Sequence, residues 1–244
     1  GNVTISFWHT FNDKETQTLE DILKTFHQEH PHIKVELQNV PFSDALNKYK
    51  IVAQAQRAPD LFRADIGWTT DLASTGYLMA LDALFSEEEQ KDFFPQAMAY
   101  TRYRNHIWGV PQVTDCLALL YNKTKLPQGP PQTLEELIEV GKKLTHIEKK
   151  EYAFFFRGDP YWYLPFIWAF GGELIDPKTL QIKVAEKPAV QALEYLISLR
   201  DQHKIVPAVI DFPNDYDNQQ LGFKTGQYAM IINGPWATSD ILSG

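Results

Sequence analysis

The sequence has very little cysteine, and its basic residues are outnumbered by acidic ones. The 244 residues contain one cysteine, Cys116, so no internal disulfide can form and the redox compartment stays undefined. Lys and Arg number 23 against 31 Asp and Glu, which gives a net charge of −8. An acidic surface argues against a nucleic-acid partner and against docking on anionic lipid. We therefore expect no nucleic-acid partner.

Long apolar runs and several well-known motifs are also missing. No apolar run reaches the roughly 20 residues that a membrane-spanning helix needs. The sequence has no H-E-x-x-H, C-x-x-C, G-x-S-x-G, P-loop or G-x-G-x-x-G motif. We therefore predict no metal and no cofactor. No signal peptide precedes the first predicted strand, so an exported protein is expected here in a mature or trimmed form.

Aromatic residues, in contrast, are plentiful: they make up 13% of the chain and include six tryptophans. The apolar face of a sugar ring stacks on aromatic plates, and a cationic ligand would use the same plates through cation–π contacts. The alternative is a large core, because aromatic side chains bury much area. The candidates for stacking are Trp8, Trp68, Trp162 and Trp236. Trp108 and Trp168 lie inside apolar segments and are predicted to belong to the core.

Predicted strands alternate with predicted helices along the whole chain. A strand at Val3–Trp8 is followed by a capping box, Asn12 with Glu15, and by a helix with one apolar face. The same alternation starts again near Pro111. It predicts an α/β fold with a mainly parallel sheet and helices on both of its faces. We predict two α/β lobes, residues 1–110 and residues 111–244.

Three aspartates, Asp65, Asp115 and Asp159, lie at predicted strand ends or helix starts, where ligand sites occur in α/β folds. Two such carboxylates can serve as the acid and base of a glycosidase. They can equally accept hydrogen bonds from sugar hydroxyls, or simply cap helices. The residue pattern leaves these three interpretations open.

A series of short segments runs along the whole chain in a characteristic order and spacing. They are VTISFWHTF at 3–11, APDLF at 58–62, GWTTDLASTGYL at 67–78, GVP at 109–111, LALLYNK at 117–123, TLEEL at 133–137 and FKTGQYAMIINGPW at 223–236. Together they resemble the maltose/trehalose type of sugar-binding protein, the extracytoplasmic receptor of a bacterial ABC importer.

The resemblance implies a two-lobed, periplasmic-binding-protein-like fold with a hinge and a mono-, di- or oligosaccharide in the cleft. It implies non-catalytic binding, delivery to an ABC transporter permease, and a location in the periplasm or, as a lipoprotein, at the cell surface. Family members are longer, whereas this chain ends eight residues after Trp236. We therefore expect the C-terminal part to be missing from this chain. A complementary chain, a fusion partner, or a split or engineered sensor would account for that.

Carried over position by position, the resemblance assigns ligand contacts to both lobes. Asp115 matches an acidic residue that binds sugar hydroxyls, and Trp236 matches a stacking tryptophan. The Asp-Pro-Tyr sequence that begins at Asp159 matches a motif whose tyrosine stacks on a sugar ring. The predicted ligand-binding residues are His9, Glu15, Asp65, Trp68, Asp115, Asp159, Tyr161, Trp162 and Trp236.

Two other functions compete with a sugar receptor. A binding protein for another solute, such as a quaternary amine, would use Trp and Tyr side chains as an aromatic cage. A glycoside hydrolase would use two of the carboxylates at a fixed separation, one of them with a raised pKa. The resemblance points away from the hydrolase, and we predict that the protein is not an enzyme.

Overall fold

The computed structural model describes residues 1–208 and 211–243. It contains two compact units, Gly1–Thr114 and Asp115–Gly244. The first unit therefore extends four residues beyond the predicted boundary at 110/111.

The first unit is built on a parallel sheet. Its strands and helices are β1 (Val3–His9), α1 (Asp13–Glu29), β2 (Ile33–Asn39), α2 (Phe42–Gln54), β3 (Leu61–Phe62), α3 (Thr69–Ser74), α4 (Glu87–Gln90), α5 (Pro95–Tyr100), β4 (Arg102–Tyr103) and β5 (His106–Ile107). The strand order is β2-β1-β3, and β1 runs parallel to both of its neighbours. The predicted strand–helix alternation and parallel pairing are confirmed for β1, β2 and β3, whereas β4 and β5 form a separate antiparallel pair.

The second unit is built on a mixed sheet. Its strands and helices are β6 (Ala118–Tyr121), α6 (Leu134–Leu144), β7 (Tyr152–Phe155), α7 (Pro160–Ala169), α8 (Lys187–Asp201), α9 (Asp215–Lys224), β8 (Tyr228–Asn233) and α10 (Thr238–Leu242). The strand order is β6-β8-β7, with β7 parallel and β6 antiparallel to β8. The prediction of a mainly parallel sheet is therefore wrong for β6.

An extensive apolar core surrounds the central strand of the second unit. Every residue of β8 is buried, and Phe154 on the neighbouring strand β7 is fully enclosed. Helices α6, α7 and α8 supply the rest of this core, including Leu137, Phe166 and Leu196. A strand buried on both faces reads as a continuous apolar run, which explains the sequence of β8.

Two predictions about buried side chains in this unit are wrong. Trp168 is 57% exposed, although it lies in an apolar segment. Helix α7 is apolar on all sides, so its sequence has no polar face to show which side chains point outward. The apolar sequence from Cys116 to Tyr121 predicts a buried strand, but Cys116 is exposed because β6 starts only at Ala118.

Among residues 1–208 and 211–243, no helix combines the length and the apolar composition that crossing a bilayer requires. The same residues contain no cluster of three or more His, Cys, Asp or Glu side chains suited to a metal ion.

Candidate functional site

The predicted ligand contacts of the first unit lie near the carboxyl edge of its parallel sheet. His9 is the last residue of β1, and Asp65 lies three residues after β3. Glu15 lies in the first turn of α1, the helix that follows β1. Ligands of open α/β sheets bind outside the carboxyl ends of the strands. The topology therefore gathers these side chains on the edge where a ligand is expected.

Asp65 caps the short 3-10 helix that carries Trp68. Its Oδ1 accepts a hydrogen bond from the backbone N–H of Gly67, at 2.8 Å. The Trp68 ring is half-buried and packs on Phe42, with centroids 5.0 Å apart, and on Phe62, at 6.2 Å. The capping interpretation of Asp65 is thus confirmed. The cap also fixes the turn that presents Trp68.

Glu15 has a similar local role at the start of α1. Its Oε2 accepts a hydrogen bond from the backbone N–H of Asn12 at 2.9 Å, and the Asn12 side chain accepts one from the Glu15 N–H. This is the predicted capping box. A ligand contact by Glu15 stays a prediction.

His9 is buried, which differs from the prediction of a ligand-facing side chain. It is only 1% exposed, and its Nδ1 lies 3.4 Å from the backbone nitrogen of Phe11 and 3.3 Å from Nδ2 of Asn39. Because an amide N–H can only donate, Nδ1 accepts and the ring proton lies on Nε2. His9 therefore anchors the loop after β1, and contact with a ligand would require the ring to become exposed.

Arg63 holds the same loop from the end of β3. Its Nη1 donates to Oγ1 of Thr10 at 2.8 Å, and its guanidinium lies 4.6 Å from the centroid of the Phe11 ring. The pKa of His9 is lowered, first by burial, which disfavours the charged ring, and then by the positive charge of Arg63. The carboxylate of Glu20 acts in the opposite direction.

Stability is expected to fall as the pH drops below the ordinary histidine pKa. In the unfolded chain His9 regains a pKa of about 6.5, so below that pH the unfolded state binds a proton that the folded state does not. We expect the melting temperature to fall between about pH 7.5 and about pH 5.5. The fall should be smaller in His9→Gln, which cannot titrate. Equal losses in the two proteins would contradict this role for His9.

The predicted contacts of the second unit also gather near one edge of a sheet. Strands β7 and β8 are parallel, so their carboxyl ends point to the same edge, which leads into Asp159 and into Trp236 respectively. β6 is antiparallel to β8 and pairs Ala118 with Asn233. The segment that precedes β6, with the exposed Asp115, therefore joins the sheet at this same edge.

Three aromatic side chains, Tyr161, Trp162 and Trp236, form a cluster at this edge. The Tyr161 and Trp162 rings meet edge to face, with centroids 5.4 Å apart and planes at 82°. The Trp162 and Trp236 rings do the same at 6.2 Å and 79°. Tyr161 is 41% exposed and Trp236 is half-buried, so both leave ring surface accessible.

Trp162 lies beneath these two rings. It is 7% exposed, and its indole N–H donates to the carbonyl oxygen of Ile232 at 2.8 Å. A buried ring cannot offer a face to a ligand, so a supporting role replaces the predicted stacking role. Through Trp162, the start of α7 is fixed to the end of β8.

A glycine and an asparagine set the conformation of Trp236. A Cβ on Gly234 would lie 2.1 Å from the Trp236 ring, so the ring covers the backbone at a position where only glycine fits. Asn233 is fully buried: its Oδ1 accepts from the Gly234 N–H at 2.9 Å and its Nδ2 donates to Gln220 at 2.7 Å. The Gly-Pro-Trp turn is therefore fixed both by the packing of the Trp236 ring on Gly234 and by the hydrogen bonds of Asn233.

Asp159 combines a capping role with a place beside Tyr161. Its Oδ1 accepts a hydrogen bond from the Tyr161 N–H at 2.8 Å, and it is the N-cap of α7. Pro160 occupies the first helical position, where its missing N–H costs nothing. The capping interpretation is confirmed here too, and the cap fixes the backbone that carries Tyr161.

The chain matches the sequence profile of bacterial extracellular solute-binding proteins over residues 12–242. This chain belongs to that family. The match extends over both units and includes the predicted contacts from Glu15 to Trp236, but it begins after β1 and His9.

Proteins similar to this chain bind sugars. A maltotriose-binding protein of Pyrococcus abyssi is 25% identical over 241 residues, which cover 99% of this chain and 51% of the relative. The GacH receptor of Streptomyces glaucescens, solved unliganded and with acarbose, is 36% identical with a TM-score of 0.92, over 100% of this chain and 63% of that one. A maltotriose-binding protein of Thermus thermophilus, solved with maltotriose, is 29% identical with a TM-score of 0.85.

These comparisons confirm the predicted fold and the predicted family. The chain spans 51% of the length of the Pyrococcus abyssi protein and 63% and 64% of the lengths of the two solved receptors. What the relatives bind is a property of those longer proteins.

Several residues that support the two candidate edges are not predicted from the sequence. Arg157 contacts the Trp162 ring, the Tyr216 ring and the Asp215 carboxylate, and Arg63 packs against the loop after β1. Arg157 and Asp215 are 58 positions apart, and neither belongs to a motif.

Proposed function

We propose that this chain carries most of the ligand-contacting surface of a receptor for a sugar, and that it binds the sugar without transforming it. The observation that supports this most strongly is the aromatic cluster at the end of β8. It offers two partly accessible rings, Tyr161 and Trp236, next to the carboxylate of Asp159. In a family of solute-binding proteins, rings and carboxylates on one edge match the chemistry of a sugar.

A sugar has two kinds of surface, and the two sheet edges offer a partner for each. The axial C–H groups of a pyranose form an apolar face that packs on an aromatic ring, whereas its hydroxyl groups donate to carboxylates. The second unit supplies Asp115, Asp159, Tyr161 and Trp236. The first supplies Asp65, Trp68 and the loop that Glu15 closes. Each carboxylate acts as a hydrogen-bond acceptor, so the proposal needs no catalytic acid.

The first candidate ligand is an α-glucosidic oligosaccharide. Maltotriose is the ligand of the Pyrococcus and Thermus relatives, and acarbose was solved in the Streptomyces receptor. An oligosaccharide presents several ring faces in succession, which suits rings at Tyr161, Trp236 and Trp68. Acarbose also carries an amine, so a cationic ligand remains the competing chemistry to be tested.

For the whole protein we propose an extracytoplasmic receptor, periplasmic or held at the cell surface as a lipoprotein, that delivers sugar to the permease of an ABC importer. Bound sugar would shift the receptor toward the conformation for which the sugar has the higher affinity. Recognition of that conformation by the permease would then couple sugar capture to import.

Calorimetric titration with maltotriose, maltose, trehalose, sucrose, glucose, acarbose and choline tests this function. We expect saturable binding of an α-glucosidic sugar, no binding of choline, and unchanged sugar by chromatography after prolonged incubation. Because the relatives are longer, the full-length gene product is titrated beside this chain. Binding of choline alone, or hydrolysis of the sugar, would refute the proposal, and so would the absence of sugar binding by both proteins.

A further inference from the structure

A buried ion pair lies behind the aromatic cluster of the second unit. Arg157 Nε donates to Oδ1 of Asp215 at 2.7 Å, and the two side chains are only 17% and 3% exposed. The second carboxylate oxygen accepts the Gly158 N–H at 2.9 Å. Asp215 is the first residue of α9, where a negative charge also interacts favourably with the helix dipole.

The guanidinium of Arg157 is in contact with two aromatic rings as well. Its central carbon lies 4.2 Å from the centroid of the Trp162 ring and 5.2 Å from that of Tyr216. A guanidinium is planar, so it can pack on rings with its faces while it donates hydrogen bonds in its plane. A lysine ammonium cannot do both.

The position of this group links three segments of the chain. Arg157 follows β7, Trp162 belongs to the first turns of α7, and Asp215 with Tyr216 starts α9. Trp162 in turn meets Tyr161 and Trp236 edge to face. Any shift of the guanidinium is therefore passed to both rings that remain accessible.

Stability alone does not explain a buried ion pair. Removing two charges from water is costly, and well-packed apolar side chains of similar volume often serve stability equally well. The contacts made by Arg157 are directional, which apolar side chains would not reproduce. This favours a role in geometry.

We propose that Arg157 is a positioning residue for ligand binding. Held by Asp215 and packed on Trp162, its guanidinium sets the relative orientation of Tyr161 and Trp236. The ligand-binding part of this inference rests on the proposed function, whereas the orientation of the rings can be measured without ligand.

Arg157→Lys tests the inference, with Arg200→Lys as its matched control. Arg200 also donates from Nε to an aspartate, Asp201, at 2.6 Å, but on the exposed surface of α8. In protein labelled with 5-fluorotryptophan and free of ligand, we expect Arg157→Lys to shift the fluorine resonances of Trp162 and Trp236. The other four tryptophans should not shift, and Arg200→Lys should shift none of the six.

Binding provides the second readout. Arg157→Lys should raise the Kd of the sugar about tenfold, the equivalent of one lost cation–π contact, with little change in melting temperature. Arg157→Met combined with Asp215→Leu should keep or raise the melting temperature and still weaken binding. The apolar pair restores the packing of the buried ion pair, but it does not restore the directional contacts of the guanidinium.

Unchanged resonances of Trp162 and Trp236 in Arg157→Lys would overturn the positioning role. So would normal sugar affinity in the apolar double variant, since packing alone would then suffice. If the unsubstituted protein binds no sugar, the proposed function fails, and the fluorine resonances still decide whether Arg157 orients the rings.

Discussion

Replacing Trp236 with alanine is expected to raise the Kd of the sugar roughly 100-fold, or ~3 kcal/mol. Trp236 is half-buried and meets Trp162 edge to face, so its ring is already fixed before a ligand arrives. A fixed aromatic plate loses little conformational entropy on binding, and such tryptophans dominate binding energies. Titration calorimetry of the variant and of the unsubstituted protein measures the change.

Trp168→Ala is the matched control for this experiment. Trp168 belongs to the same unit, but its ring is 57% exposed and it is not one of the predicted ligand contacts. Its removal should leave the Kd unchanged. A Trp236→Ala protein that folds and binds the sugar as tightly as the unsubstituted protein would contradict the assignment of Trp236.

Replacing Gly234 with alanine is expected to have the next largest effect, again on binding more than on folding. The new Cβ would lie 2.1 Å from the Trp236 ring, whereas ordinary contact begins at 3.4 Å. The backbone at Gly234 has φ −114°, which alanine adopts without strain. The ring must therefore move by more than 1 Å, and we expect the Kd to rise by about tenfold or more.

A double variant separates this steric effect from a general loss of structure. In a Trp236→Ala background the clashing ring is gone, so Gly234→Ala should add little to either the Kd or the melting temperature. Gly109→Ala, where a Cβ meets nothing within 4 Å, controls for the glycine-to-alanine change itself. Additive effects of Gly234→Ala and Trp236→Ala would show that the turn fails for another reason.

Local patterns in the sequence predicted the fold well where three or four residues decide the structure. The capping box at Asn12 forms as predicted, because its partner Glu15 is only three positions away. The alternation of strands and helices predicted the α/β fold, because the hydrophobic periodicity of each element is also local. Helix α7 shows the limit: it is apolar on every side, so the exposure of Trp168 and the burial of Trp162 depend on what packs against it.

The aromatic contacts of the candidate site could be predicted from the sequence, but the ion pair that supports them could not. The family resemblance assigned ligand contacts to Tyr161 and to Trp236, and the described structure brings both rings against Trp162. The ion pair of Arg157 and Asp215 joins positions that are 58 residues apart, so no local pattern could reveal it. The capping roles of Asp65 and Asp159, in contrast, were among the interpretations that the sequence left open.

The measurement that tests the central claim most directly is a fluorine NMR titration of the 5-fluorotryptophan-labelled protein with maltotriose. It is carried out on this chain and on the full-length gene product. We expect a saturable change in the Trp236 resonance, with the exposed Trp168 resonance unaffected. A Trp236 resonance that responds to no sugar of the panel in either protein would contradict a role of Trp236 in sugar binding.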